Sequence, residues 1–327
     1  MPETASFQTR FQDYALEPVP DSQRRGLFSS ITVFCGWVVT TTPLLVAGLL
    51  AGGLTFWQAI AALLIGTVIT VVIVTLGILA PWISPDDYAK QDLLNSLEPP
   101  LSKGHLLGTD QLGRDTLSRI LHGIRLSIFV GFVITAISLF FGGLLGLAAG
   151  YYRGKVDTAI SAVIDIFWGF PLILVAVLLV GALGPGLLAL MLAVGLINWA
   201  GFARVMRGEV LALREREFVE AARALGINDL RIMWRHILPH AVPATLVLGS
   251  YYVALAIIFE AGFSFIGMGV QPPNPSLGQM IGEARNYMLV DSWLMTIPGV
   301  TIAVLVIALN LLGDGLRDIF DPRLKDN

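Results

Sequence analysis

Seven apolar runs alternate with polar stretches along the chain, at residues 29–53, 57–83, 126–150, 158–182, 187–204, 242–268 and 293–313. Most approach or exceed the roughly 20 residues a helix needs to cross a bilayer. In lipid, each backbone N–H and C=O must be satisfied within its own segment, so the runs predict helices. The fold class read from the pattern is an all-α polytopic membrane protein. Thr40-Thr41-Thr42-Pro43, Gly48, Gly52 and Gly53 interrupt the first run and predict a kinked or imperfect span. The second run is rich in Ile and Val and ends near Pro81. Residues 1–26 read as a polar N-terminal tail, and 27–83 as an N-terminal apolar hairpin or first span or spans. Residues 84–125 form an extracytoplasmic segment, 126–318 the bundle core, and 319–327 a cytoplasmic tail.

The longest charged interruption of the core is 204–240, RVMRGEVLALREREFVEAARALGINDLRIMWRHILPH. Seven Arg, five acids and no Lys fall between Arg204 and Arg235. Val210, Leu213, Phe218, Ala221, Ala222 and Leu225 fall roughly on one helical face. Gly226 stops that helix, as a residue that tolerates positive φ does. Asn228 or Asp229 then caps a second short helix. The stretch predicts two short amphipathic helices joined by a glycine turn at a membrane surface.

Charge sets the orientation. The chain is 55% hydrophobic and 14% charged, against about 25% charged in soluble domains. The turn at 151–155, the segment 204–240 and the C-terminal tail together hold twelve Lys and Arg, whereas the loops 183–186 and 269–292 hold only Arg285. Basic residues stay inside, so 204–240 and the C-terminus read as cytoplasmic and 84–125 as external. If 29–53 spans fully, the N-terminus is outside with Arg24-Arg25 on the disfavoured face; a re-entrant or interfacial run is the alternative. A net charge of −3 implies no nucleic-acid partner.

Little points to chemistry at a reactive centre. The lone Cys35 excludes an intrachain disulfide and a cysteine metal cluster. His105, His122, His236 and His240 show no ligand spacing. No GxxxxGK[ST] occurs, so no ATP site of the chain's own is expected. Gly142, Gly146 and Gly150 form a stripe for close helix packing, within one subunit as the commoner case or in a homodimer contact as the alternative. Arg119 follows Asp115 by four residues and pairs with it on a helix. Asp165 is an intramembrane acid or an end-of-helix partner of Arg153 or Lys155. Asn198 lines a path or bonds backbone.

Three strings carry a resemblance. Glu220-Ala221-Ala222, Gly226 and Ile237-Leu238-Pro239, within EFVEAARALG…RHILPHAVP, resemble the EAA signature of permease subunits in ATP-binding-cassette importers. HLLGTDQLGRDTLSR resembles the signature after the first span of peptide/nickel-type permeases. EAGFSFIGMGVQPPNPSLGQ resembles that family's LSFLGLGVQPP segment, with Ile266 and Met268 as departures. The strings stand in family order over about residues 75–325.

The resemblance implies the C-type permease subunit of a type I importer, with six core helices and an extra one if 29–53 spans. It implies a second permease, two cytoplasmic ATPases that bind the ATP, an external solute-binding protein and a lipid surround. It places the chain in a prokaryotic inner membrane, moving peptides or a related small solute by alternating access. Glu220, Ala221, Ala222, Gly226, Ile237, Leu238 and Pro239 would couple to the ATPase. Asp110, Arg114, Asp115, Arg119, Glu260, Gln271 and Pro272 would form the outer gate or the binding-protein face. No catalytic, cofactor-binding or metal-ligating residue is expected. Residues 17–66 also resemble the opening of cytosine/purine symporters. An ion-coupled secondary transporter is therefore the alternative, and it would need ion ligands near the midplane. An ATP-independent scaffold is a third reading.

The charge asymmetry makes a topological prediction. With Cys35 replaced by Ser, a cysteine placed within 204–240 is protected from an impermeant thiol reagent in intact cells. One at Ser276 is labelled. The reverse pattern overturns the orientation.

Overall fold

A computed structural model describes residues 56–102 and 104–320 of the chain, with side-chain surroundings at 66–102 and 104–313. The expectations for 1–53, most of the symporter-like stretch and the tail 321–327 lie outside the described residues. Among the described residues the structure is helical, with isolated β-bridges only in the 102–115 segment. In order it runs α1 (Phe56–Ile83), α2 (Thr116–Tyr152), α3 (Gly154–Gly169), α4 (Leu172–Leu183) and α5 (Leu187–Arg214). There follow α6 (Glu217–Ala224), α7 (Asp229–Ile232), a π turn (Met233–Ile237), α8 (Leu238–Phe265), α9 (Leu277–Ala284) and α10 (Trp293–Phe320). Five of these helices are long and apolar enough to cross a bilayer, and six if the bent α3–α4 pair makes one span.

Two spans depart from the expected bounds for local reasons. α2 starts ten residues before the apolar run, because Asp115 caps it: its carboxylate accepts the Ser118 N–H at 2.7 Å. The run 158–182 is not one span but two helices bent by 90° at Gly169-Phe170-Pro171. Pro171 lacks an N–H and drives Phe170 to extended backbone, φ −105° and ψ 144°. Arg207 clamps α3 to α5 with a two-pronged bond to Asp157, at 2.5 and 2.8 Å. Asp165 pairs with Arg204 at 3.1 Å, and Trp168 lies beneath that guanidinium at 4.1 Å. The expected partners Arg153 and Lys155 do not take Asp165; Arg153 instead bonds Glu215 at 2.6 Å.

α2 is the central helix, and its main neighbour is α5; α1 and α8 pack on its other sides. The glycine stripe explains the contact. A Cβ on Gly142 would strike the Trp199 carbonyl oxygen, one on Gly146 that of Ala203, and one on Gly150 the Val210 side chain. Ser138 continues the row by donating to the Gly195 carbonyl at 2.9 Å. The two backbones touch with almost no side chain between them, the solution for helices that meet in lipid.

Adding bulk to that seam separates the helices. Gly146→Val overpacks against α5 backbone and is expected to cost at least about 1–3 kcal/mol. Gly143→Ala is the control, since its Cβ would meet only Met206 Cε at 3.8 Å. Thermal unfolding in detergent is the measurement; equal melting of wild type and Gly146→Val would show the seam to be unimportant.

Candidate functional site

The candidate residues collect at the two ends of α2, whose 37 residues span about 55 Å. At its C-terminal end the chain leaves α5 at Arg214, turns through Glu215 and Arg216, and enters α6. Glu217 and Glu220 lie in the first turn of α6, where the helix dipole favours acids. The helix ends in a Schellman motif: Gly226 N–H donates to Arg223 O at 2.9 Å and Ile227 N–H to Ala222 O at 3.2 Å. Gly226 has φ +74°, the conformation this motif requires. The Asn228 carboxamide oxygen then caps α7 by accepting Arg231 N–H at 2.9 Å. Pro239, near the start of α8, has no N–H for a regular helical bond, and the preceding turn widens to a π turn.

This hairpin is seated on the bundle. Val219, Ala222, Ile232, Met233 and Ile237 pack in one cluster with Leu147 and Tyr151 of α2 and Met206 and Val210 of α5. Tyr151 donates its hydroxyl to Asp229 Oδ1 at 2.6 Å, and the Arg214 guanidinium donates to the Tyr151 carbonyl. The expected coupling residues therefore divide. Glu220, Ala221, Gly226 and Pro239 are exposed, Leu238 is half-buried, and Ala222 and Ile237 are buried in the protein's own core. The predicted apolar face was wrong in phase, because the break at 215–216 resets the helix. Val219 and Ala222 point inward, whereas Phe218, Ala221 and Leu225 point out. Phe218, Leu225 and Leu230, outside the expected coupling set, carry the outward apolar surface, Leu225 at 80% exposure. Their only sequence signal is an apolar residue where a solvated helix calls for a polar one.

At the other end, residues 84–115 fold back over the start of α2. The Thr109 hydroxyl donates to the Asn95 carbonyl at 2.5 Å and accepts the Glu98 N–H at 2.9 Å. A closed ionic network follows. Asp110 Oδ2 accepts Arg114 Nε at 2.6 Å and an N–H of Arg119. Its Oδ1 accepts the backbone N–H groups of Leu112 and Arg114 at 2.8 and 3.0 Å. Glu283 of α9 completes the square, accepting Arg114 at 2.8 Å, Arg119 at 3.0 Å and the Gln111 amide at 3.0 Å. Two carboxylates thus meet two guanidiniums, so buried charge is matched.

The predicted Asp115–Arg119 pair does not form. Asp115 has extended backbone as the α2 cap, and its carboxylate takes Ser118 Oγ at 2.7 Å and His105 Nδ1 at 2.9 Å. Glu260 lies apart from this network. It is fully buried and accepts three hydroxyls, Ser127 and Ser264 at 2.8 Å and Ser276 at 2.6 Å, tying α2, α8 and the α9 cap together. Gln271 and Pro272 are exposed, and the Gln271 amide donates to the Gly267 and Gly269 carbonyls, each at 3.1 Å. Ser276 is itself buried, so Asn274, exposed two residues earlier, is the proper position for external labelling. Asn198 is buried, and its Nδ2 has no partner among the described residues. Glu283 escaped sequence reasoning, although it is the sole acid between Glu260 and Asp291.

Removing one corner of the square leaves charge uncompensated. Asp110→Asn is expected to destabilise by about 3–5 kcal/mol, the cost of breaking a buried pair. Glu283→Gln should cost less, because the Glu283 side chain is 22% exposed. Thermal melting of the two variants tests the order; equal stability of Asp110→Asn and wild type removes the network from the account of the fold.

Residues 142–326 match the family described as the inner membrane component of binding-protein-dependent transport systems. Residues 62–100 match the N-terminal transmembrane domain of oligopeptide transport permease C. The dipeptide transport system permease protein DppC of Haemophilus influenzae is 40% identical over 267 residues, 80% of this chain and 90% of that protein. The glutathione transport system permease protein GsiD of Pectobacterium atrosepticum is 42% identical over 240 residues, 73% of this chain and 79% of that protein. The oligopeptide transport system permease protein OppC of Bacillus subtilis is 36% identical over 262 residues, 80% of this chain and 86% of that protein. A chain of the inward-facing MetNI methionine ABC transporter is 24% identical, with a TM-score of 0.48, over 63% of this chain and 98% of that one.

Proposed function

The chain belongs to the family of inner membrane components of binding-protein-dependent transport systems, and from that premise we propose that it is the permease subunit of an ATP-driven importer of peptides. Relatives named for dipeptides, oligopeptides and glutathione support a solute with a peptide backbone. The chain works beside a second permease, two cytoplasmic ATPases that bind the ATP, and an external solute-binding protein. It has no catalytic residue of its own. The segment 204–240 and the C-terminus face the cytoplasm.

One observation carries the mechanism: the α6–α7 hairpin is anchored inward and apolar outward. Its inner face is packed on the ends of α2 and α5 and hydrogen-bonded to α2 through Tyr151 and Asp229. Its outer face offers Phe218, Leu225 and Leu230 beside Glu220 and Ala221. A docked ATPase that moves this hairpin moves α2 and α5 with it. Coupling follows if the ATPase makes different contacts in its two states, since only differential contact shifts a population. At the outer end, the Asp110–Arg114–Arg119–Glu283 square and the Glu260 nest hold α9 to α2 and α8. That arrangement supports a role for both at the outer gate or the binding-protein face.

Gly226→Val tests the coupling role. No atom lies within 4 Å of a Cβ built there, so the variant meets no clash. Its burden is the positive φ alone, about 1–3 kcal/mol of strain in a surface turn. The bundle should insert normally while the angle between α6 and α7 changes. We expect reduced ATPase co-purification and loss of ATP-dependent peptide uptake at normal expression. Glu220→Lys should act at the same face by charge reversal. If both variants bind the ATPase and transport like wild type, the hairpin is a solvated loop and the coupling assignment fails.

A further inference from the structure

Arg125 differs from the other arginines at the start of α2. Arg114 and Arg119 are neutralised by Asp110 and Glu283. Arg125 is exposed and has no ion-pair or hydrogen-bond partner among the described residues. It stands at the head of the run 126–150, which contains no charged residue. At the end of an apolar span a long Arg side chain reaches the interface, so the Arg125 charge is available to a ligand there.

A cavity of about 290 Å³ lies beside it, lined also by Tyr88, His122, Asn274 and an apolar floor that includes Phe129. His122 stands three residues before Arg125, on the same helical face. Its Nδ1 is 3.0 Å from the Ser118 carbonyl, so that nitrogen is the donor and the ring is fixed. Tyr88 packs on the imidazole with ring centroids 4.6 Å apart. Asn274 is exposed in the loop ahead of α9. The wall thus offers a guanidinium fork, an amide and a phenol hydroxyl, and no carboxylate lines it.

We propose that this cavity binds a single oxoanion, gripped by the Arg125 guanidinium with Asn274 and Tyr88 as neutral donors. A planar fork matches the two oxygens of a carboxylate or a phosphate. Two sources carry that chemistry. One is the carboxylate of a transported peptide, which rests on the permease reading above. The other is the phosphate of a lipid headgroup, with its acyl chain on the exposed Phe129, Phe132 and Phe140 below.

The test uses the intact complex with its partner subunits, in nanodiscs of phosphatidylcholine and phosphatidylglycerol. One arm measures equilibrium binding of labelled alanyl-alanine and of its C-terminal amide. The other counts retained phosphatidylglycerol by native mass spectrometry. The variants are Arg125→Gln, Arg125→Lys and, in the exposed loop, Asn274→Ala. Loss of one charge-assisted contact should weaken binding about ten- to a hundredfold. We expect Arg125→Gln to show that loss in one arm, Arg125→Lys to recover part of it, and Asn274→Ala to weaken the same arm several-fold. If the peptide is the source, wild type should bind the amide as weakly as Arg125→Gln binds the dipeptide. If Arg125→Gln and Asn274→Ala match wild type in both arms, the pocket is not an anion site. Neither arm depends on ATP coupling, so failure here is separate from failure of the coupling experiment.

Discussion

Lipid tails give two apolar helices no hydrophobic reason to leave lipid for each other. The contact between α2 and α5 therefore rests on close approach, and close approach rests on Gly142, Gly146 and Gly150. Where no side chain stands between two backbones, dispersion acts over many atom pairs at short range. The rest of the bundle is arranged around this seam. α1 and α8 fill the other sides of α2, and α10 lies against α8 and α1. A shift along the seam would carry both ends of α2 with it.

That rigidity gives the two ends different characters. At the C-terminal end of α2, the hairpin of α6 and α7 is held by an apolar cluster and by the Tyr151–Asp229 hydrogen bond. Apolar packing of this sort has few soft degrees of freedom, so a force on the hairpin reaches the helices rather than being absorbed in a loop. At the N-terminal end, polar atoms hold the structure. Buried carboxylates there are each matched by several donors, because an unmatched charge would be costly. Such networks have discrete arrangements: they are either made or broken.

The broken α3–α4 span has a similar logic. Its bend at Gly169-Phe170-Pro171 leaves backbone groups outside a regular helix. Such backbone is tolerated at membrane depth only beside protein or water. Ahead of the bend, α3 is held to α5 by packing of Ile164 with Trp199, Ala200 and Ala203 and by its ion pairs to Arg204 and Arg207, whereas Gly169, Phe170 and Pro171 are exposed.

Much was legible from the chain alone. Apart from 158–182, which breaks in two, and 29–53, which lies outside the described residues, the apolar runs placed the membrane helices, since an unbroken run of that length satisfies its backbone in lipid as a helix. Glycine at 226 announced the turn, and Asn228 or Asp229 the cap of the next helix, which Asn228 supplies. Spacing alone did not settle what depends on approach between distant segments. The inward phase of α6 is decided by the break at 215–216, which resets the helix so that Ala222 is buried and Ala221 is not. Asp115 was free, on local grounds, to pair with Arg119. Capping α2 turned it to Ser118 and His105, and Arg119 went to Asp110 and to Glu283, 164 residues away. Resemblance alone marks Glu260 as an outer-gate residue; only folding brings the hydroxyls of Ser127, Ser264 and Ser276 onto its two oxygens. Periodicity reports which positions leave water. Only the packed structure decides which of them meet, because a charge binds whichever partner the fold brings within hydrogen-bond reach.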